Sequence, residues 1–333
     1  MTDDTTGPDA GDAGEAAEPA EPAEPAGRPP GESRVVLITG CSSGFGLLAA
    51  VSFARLGFRV FATMRDPDRA DALHAAAAEA GTSVEVVALD VADAASVEAA
   101  VAEVIAAAGA PDIVVNNAGI EIVGAIHLLS DTEVHRQLDT NVTGVVRVVR
   151  AVAQHMVARG SGVIVNVGSL AGRVGTPYAG LYAASKHALE AISEALHFEL
   201  SHLGVRVALV EPGQFRTSLG DNRIVAAGME PGSAEYERWQ RWSAAQKGLV
   251  GAAGADGDQG AEAAEAAEAA EGQGSGGQDP QLVADTIVAA ATTDVPRLRW
   301  PVGDDAQMVI AAKDSMSFED FEAAMREVLD WRE

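Results

Sequence analysis

Tyr182 and Lys186 stand four residues apart, and Ser169 precedes the tyrosine by thirteen. At that spacing the two side chains share one face of a helix, so an ammonium can lie beneath the phenol and favour its ionised form. A phenol with an ordinary pKa of about 10 is a poor base at neutral pH, and a cation beside it is what proton transfer would need. The chain has only three tyrosines in 333 residues, which makes a chance pairing with the few lysines uncommon. The bland reading of Lys186 is a solvated helix lysine. Ser169 follows the apolar run Val163 to Val167 and could hydrogen-bond a carbonyl oxygen that gains charge during reaction. A loop serine is otherwise a turn former, but one at the carboxyl end of a strand lies where doubly wound sheets place ligands.

These residues need a scaffold, and the pattern of the chain supplies one. From Arg34 onward, short β-branched runs at Val35 to Thr39, Arg59 to Thr63, Val84 to Leu89, Ile113 to Asn116, Val163 to Val167 and Val205 to Val210 alternate with helical patterns. The helices are expected at about 44 to 56, 67 to 80, 94 to 108, 131 to 158 and 182 to 202. Strands that are apolar throughout, separated by helices, indicate a parallel sheet covered on both faces, hence a single α/β domain of the doubly wound, Rossmann-like type. Between the first strand and first helix runs Thr39-Gly-Cys-Ser-Ser-Gly-Phe-Gly46. Gly40, Gly44 and Gly46 permit a sharp turn and close approach of a pyrophosphate to the helix N-terminus. Cys41 fits as a small side chain within that turn.

Two stretches fall outside this pattern. Residues 1 to 33 are an acidic run containing three Glu-Pro-Ala triplets, expected to be a disordered tail, and the domain is taken as 34 to 333. Residues 251 to 279 form a low-complexity insertion with Glu262, Glu265, Glu268 and Glu271 in an Ala-rich context. Together these segments carry 15 of the 26 net negative charges. The remaining body is acidic enough to disfavour nucleic acid or anionic membrane as a partner. No run of about 18 apolar residues suggests a membrane span, no signal-peptide pattern opens the chain, a lone cysteine excludes an internal disulfide, and no zinc-type spacing is present. A cytoplasmic location is expected, with no metal.

Taken in order, Thr39-Gly-x-x-x-Gly-x-Gly46, Asn116-Asn-Ala-Gly119, Asn141, Ser169, Tyr182-x-x-x-Lys186 and Pro212-Gly213 with Thr217 resemble the motif series of the short-chain dehydrogenase/reductases. The resemblance is strong from Arg34 to Thr217 and loose in the final third. It implies a seventh strand, for which Leu298 to Val302 is the candidate. It implies that Ser169, Tyr182, Lys186 and Asn141 are catalytic, with Asn141 holding a water that relays protons to Lys186. For the cofactor it implies contacts from Gly40, Ser42, Ser43, Gly44, Phe45, Gly46, Arg65, Asp90, Val91, Asn117, Ala118, Gly119, Tyr182, Lys186, Pro212, Gly213 and Thr217. Asp90 would meet the adenine, although a polar cap for the next helix is the alternative. The family also pairs subunits through helices matching 131 to 158 and 182 to 202, so a homodimer or homotetramer is expected; Leu189, Ile192, Leu196 and Leu203 either serve that contact or face the sheet.

Cofactor selectivity turns on the end of the second strand, Phe61-Ala-Thr-Met-Arg-Asp66. An NAD site needs a carboxylate there to take the ribose hydroxyls. By the family pattern that position is Met64, and the next residue, Arg65, suits a 2′-phosphate. NADP(H) is therefore expected over NAD(H), with Asp66 and the neutral Ser42 and Ser43 as the contrary signs. The substrate side carries Ile120, Ile122, Val123, Val174, Tyr178, Phe215 and Leu219, followed by Tyr236, Trp239 and Trp242 at helical spacing. A stripe at that spacing is more often core than pocket; if it forms a lid, the site is broad and apolar and suits a secondary alcohol or ketone of hydroxysteroid, retinoid or acyl type. Glu121 among them has no evident part. The rival from another class is a nucleotide-binding regulatory or scaffold protein that keeps the fold without turnover.

Overall fold

A computed structural model describes residues 33–215, 223–253 and 278–328, with side chains over 33–215, 223–245 and 278–327. Of the sequence expectations, most of the tail and insertion, together with Thr217 and Leu219, lie outside the described residues.

The strands β1 (Val35–Ile38), β2 (Arg59–Met64), β3 (Glu85–Ala88), β4 (Ile113–Asn116), β6 (Gly162–Val167), β7 (Val205–Pro212) and β9 (Arg299–Val302) form one parallel seven-stranded sheet in the order β3-β2-β1-β4-β6-β7-β9. The seventh strand is thus the one expected near Leu298 to Val302. Two-residue strands β5 (Ile122–Val123) and β8 (Ile224–Val225) pair in a separate parallel ribbon. Neither is visible in the hydrophobic pattern, since two residues are too few to show a period.

The inner strands bury both of their faces, whereas the edge strands β3 and β9 are only partly covered. On β1, Val36 and Ile38 pack on one side with Ala49, Ala50 and Phe53 of helix α1 (Gly44–Arg55) and with Val283 and Ile287 of a late helix, Gln281–Thr292. Val35 and Leu37 point the other way, toward Val97, Val101 and Val104 of α3 (Ala94–Ala108), Val148 and Val152 of α5 (Gly144–Arg159), and Leu189 of α6 (Gly180–Leu200). The chain departs from β1 in one direction through β2 and β3 and in the other through β4, β6 and β7. The carboxyl ends of β1 and β4 are therefore the switch point, where a crevice opens.

Two expected helices are interrupted. The pattern at 67 to 80 is a single 3-10 turn, Pro67–Arg69, followed by α2 (Asp71–Glu79). The stretch 131 to 158 is α4 (Asp131–Leu138), a π-turn over Asp139–Thr143, and then α5. A π-turn inserts one residue without disturbing the apolar spacing much, so periodicity reads through it.

Candidate active site

The glycine turn is built by mutual bracing with the loop after β4. Gly40 has φ of +74°, and a Cβ there would come within 2.8 Å of Ala118 Cα, so both the conformation and the space demand glycine. The hydroxyl of Thr39 accepts from the backbone N–H groups of Asn117 and Ala118, each at 3.0 Å. A side chain at Gly46 would run into Gly40 O and Asn117 Nδ2. Ser43, the N-cap of α1, makes no side-chain cap, and the first turn of α1 holds no acidic residue. Uncapped N–H groups of α1 with no negative charge among them suit a pyrophosphate. Ser42, Ser43, Gly44 and Phe45 are half-buried around this end, and the ring of Phe215 meets that of Phe45 edge-on at 5.8 Å.

At the end of β2, Met64 is buried while Arg65 is exposed. Asp66 is engaged elsewhere: its Oδ1 accepts from the Asp68 N–H and caps the 3-10 turn. Asp90 accepts from the Ala92 N–H at 3.0 Å and its own N–H donates to Ser96. The cap of α3 is Asp93, not Asp90, so the alternative reading of Asp90 as that cap is set aside. Val91 is buried beside Gly144. Asn116 is buried and donates to Asn166, which donates to Ser193 of α6, a buried chain of polar side chains. Pro212 ends β7 and is buried, and Gly213 follows it with Asp305 alongside.

The proposed reacting groups converge at the carboxyl end of β6. Ser169 lies just beyond that strand, its Oγ accepts from the Ala171 N–H, and it also hydrogen-bonds the phenol of Tyr182. Lys186 donates to Val167 O at 2.8 Å, and its Nζ lies 5.6 Å from the centre of the Tyr182 ring. Asn141 sits in the π-turn, where its Oδ1 accepts from Ile120 N and its Nδ2 donates to Ile120 O and to Ser185 Oγ, one residue before the lysine. The irregular turn thus aims Asn141 at the loop beyond Gly119 and at α6 together.

Electrostatically, Tyr182 differs from the expectation. Burial displaces its phenol well above the ordinary value, the charge of Glu121 adds to that, and the Ser169 hydrogen bond and Arg223 act in the opposite sense. Burial likewise pushes Lys186 down to about 8, with Glu190 opposing. The spacing argument anticipated an ionised phenol over an ammonium; desolvation instead holds each group toward its neutral form, and the tyrosine keeps its proton. The thiol of Cys41 is pushed up to about 12 by burial, which makes it inert.

Three acidic residues here escaped the sequence reading. Glu121 is buried and paired with Arg223. Glu190, four residues beyond Lys186, lies against Glu211 of β7 with Arg299 bonded to it and Arg173 on Glu211. The i+4 position of Glu190 was a usable signal; the other partners are remote in sequence. On the substrate side, Tyr178, at φ +62°, packs with Tyr236 and Trp239 over Ile122, Ala226 and Met229, while Trp242 is buried. The aromatic stripe therefore forms part of a small apolar cluster beside the site.

This geometry is met with independent matches to known proteins. The family described as short chain dehydrogenase matches residues 34–226. The chain belongs to the short-chain dehydrogenase family. The uncharacterized oxidoreductase YusZ of Bacillus subtilis is 32% identical over 303 residues, covering 90% of this chain and 99% of the relative. The 3-ketodihydrosphingosine reductase of Bacteroides thetaiotaomicron is 38% identical over 195 residues, 59% of this chain and 69% of its own length. Among solved structures, a short-chain dehydrogenase from Streptomyces avermitilis superposes with TM-score 0.66 at 29% identity, covering 90% of this chain and 96% of its own. A metagenomic short-chain oxidoreductase in complex with NADP gives 0.59 at 26% identity, covering 81% and 96%. This dehydrogenase is accordingly a family oxidoreductase, and among its described residues no helix is long and apolar enough to cross a membrane.

Proposed function

We propose that this chain is an NADP(H)-dependent reductase and dehydrogenase that interconverts a ketone and a secondary alcohol on a fairly apolar substrate. The observation that carries the reading is the contact of Ser169 with the phenol of the buried Tyr182, with Lys186 against the tyrosine ring. The nicotinamide, when bound, supplies or takes up the hydride at the carbinol carbon. Ser169 holds the substrate oxygen by a hydrogen bond while negative charge grows there, and Tyr182 gives its phenolic proton to that oxygen, so the alcohol leaves neutral. In the reverse direction the same phenolate oxygen takes the proton back. Lys186 makes the transient phenolate tolerable and is held by Val167 O in the right place. Asn141 fixes the loop at Ile120 that borders the substrate.

Cofactor preference follows from the end of β2. Met64 offers no acceptor to a ribose 2′-hydroxyl, Arg65 stands exposed for a 2′-phosphate, and Asp66 is occupied by its own turn. The apolar cluster around Ile122, Tyr178 and Trp239 supports a bulky apolar substrate, and the long-chain ketone named for the Bacteroides relative is consistent with that. A homo-oligomer through α5 and α6 is part of the proposal, since Val146 and Phe198 expose apolar surface there.

The experiment follows NADPH and NADH absorbance against acetophenone, a 17-ketosteroid, the retinoid-like ketone β-ionone and a 3-keto long-chain amine, for the parent and for Met64→Asp with Arg65→Ala. Turnover with NADPH preferred in the parent, and preference reversed in the double variant, is the expected result. A parent that binds NADPH but reduces none of the four, or one that prefers NADH, overturns the respective part of the reading.

A further inference from the structure

Glu121 stands two residues past Gly119, in the connection from β4 to β5, and only 8% of it is exposed. Its Oε2 accepts from Nε of Arg223 at 2.8 Å. Arg223 immediately precedes β8, so the pair closes one end of the β5–β8 ribbon, whose backbone bonds run from Ile224 N to Glu121 O at 3.0 Å and from Ala226 N to Val123 O at 2.9 Å. An ion pair is a poor choice for stapling two short strands. Desolvating both charges offsets most of their attraction, and an apolar pair of similar volume does as well or better. The charges are therefore to be explained by something other than the ribbon's stability.

Helix α6, which carries Tyr182, packs against β5, the strand that Glu121 leads into. Four polar groups act on or face the phenol and ring of Tyr182: Ser169 from the end of β6, Lys186 from α6 itself, Glu121 from the β4–β5 connection, and Arg223 from the start of β8. Glu121 and Arg223 act on the phenol in opposite senses. A lone carboxylate here would oppose the phenolate through which proton transfer must pass in either direction, and the guanidinium removes that opposition only while β8 is paired to β5.

We propose that Glu121 and Arg223 form a positioning pair for the Tyr182 proton transfer: Glu121 seats Arg223, and Arg223 balances the charge facing the phenol while holding Ile224–Val225 against the substrate side. This rests on the reading of Tyr182 as the proton donor. The pair neither touches the cofactor turn nor replaces Ser169. It makes the reactivity of the tyrosine conditional on a segment about forty residues further along the chain being in place.

The test measures kcat/KM against pH for oxidation of 1-phenylethanol, or of the alcohol form of the best substrate in the ketone panel, with saturating NADP+. The proteins are the parent, Glu121→Gln, Arg223→Gln, Arg223→Lys and the Glu121→Gln/Arg223→Gln double variant. Arg223→Gln should move the rising limb of the profile to higher pH by about one unit, and Glu121→Gln should move it to lower pH by a similar amount. The double variant should lie between them, and Arg223→Lys should restore most of the parent's profile. In parallel, hydrogen exchange at the Ile224 and Ala226 amides should quicken about tenfold in either single variant, a readout that needs no turnover. Rates that fall in all variants with unmoved limbs would reduce the pair to packing and overturn the proposal. So would unchanged exchange at both amides. A parent with no activity on any substrate defeats the proton-donor reading itself, which is a different outcome from active variants with fixed limbs.

Discussion

The carboxamide of Asn117 donates to the carbonyls of both Thr39 and Gly40, at 2.9 Å each, and so ties the loop after β4 to the turn after β1. The glycine turn is held in shape from outside, by a residue just past the neighbouring strand β4. Backbone carbonyls in a tight turn have few partners of their own, and a side-chain amide with two donors satisfies a pair of them.

Asn117→Ala should therefore loosen the turn. Loss of two part-buried hydrogen bonds corresponds to ~1–3 kcal/mol, so the dissociation constant of NADPH should rise by about ten- to a hundredfold. Fluorescence titration of the nucleotide reads this directly. An affinity within about twofold of the parent would mean that Gly40 keeps its conformation without the brace.

Tyr182→Phe preserves the ring's packing and removes the proton. Ketone reduction should drop by about 10²–10⁴-fold in kcat, the usual contribution of a positioned general acid, while NADPH affinity changes little. Stopped-flow single turnovers separate this from slow product release. A variant retaining more than about a tenth of the parent's rate, a loss of only ~1.4 kcal/mol, would remove Tyr182 from the role of essential acid.

Behind Lys186, Glu190 is pushed up to about 7 by burial and by the neighbouring Glu211, against the pull of Arg299. A carboxyl whose folded value exceeds its unfolded one binds its proton more tightly in the folded state. The stability it contributes is complete below about 4.5 and is lost as pH rises through about 7. Glu190→Gln stays neutral throughout, so the difference in Tm between variant and parent should grow across that window, by about 2–4 °C, as ~1 kcal/mol gives in a domain of this size. Parallel Tm curves from pH 4.5 to 7.5 would show that Glu190 does not titrate there.

Much of this protein was legible without coordinates because the informative relations are local. Tyr182 and Lys186 share a helix face by spacing alone, the glycines of the turn lie within seven residues, and strands buried on both faces read as unbroken apolar runs. Even β9 at the far edge was visible, since Arg299–Val302 pairs beside β7 where the family pattern asks for a strand.

Burial and long-range pairing were decided only by the tertiary structure. The sequence puts a lysine near a tyrosine, but the direction in which each is displaced depends on how much water reaches them, which is set by everything packed around α6. The π-turn at Asp139–Thr143 left no mark on the apolar period, yet it is what turns Asn141 toward Ile120 and Ser185. Glu121 had no assignable part as a lone acid among apolar residues, because its partner Arg223 is 102 positions away, brought alongside by a ribbon of two-residue strands too short for any pattern to announce.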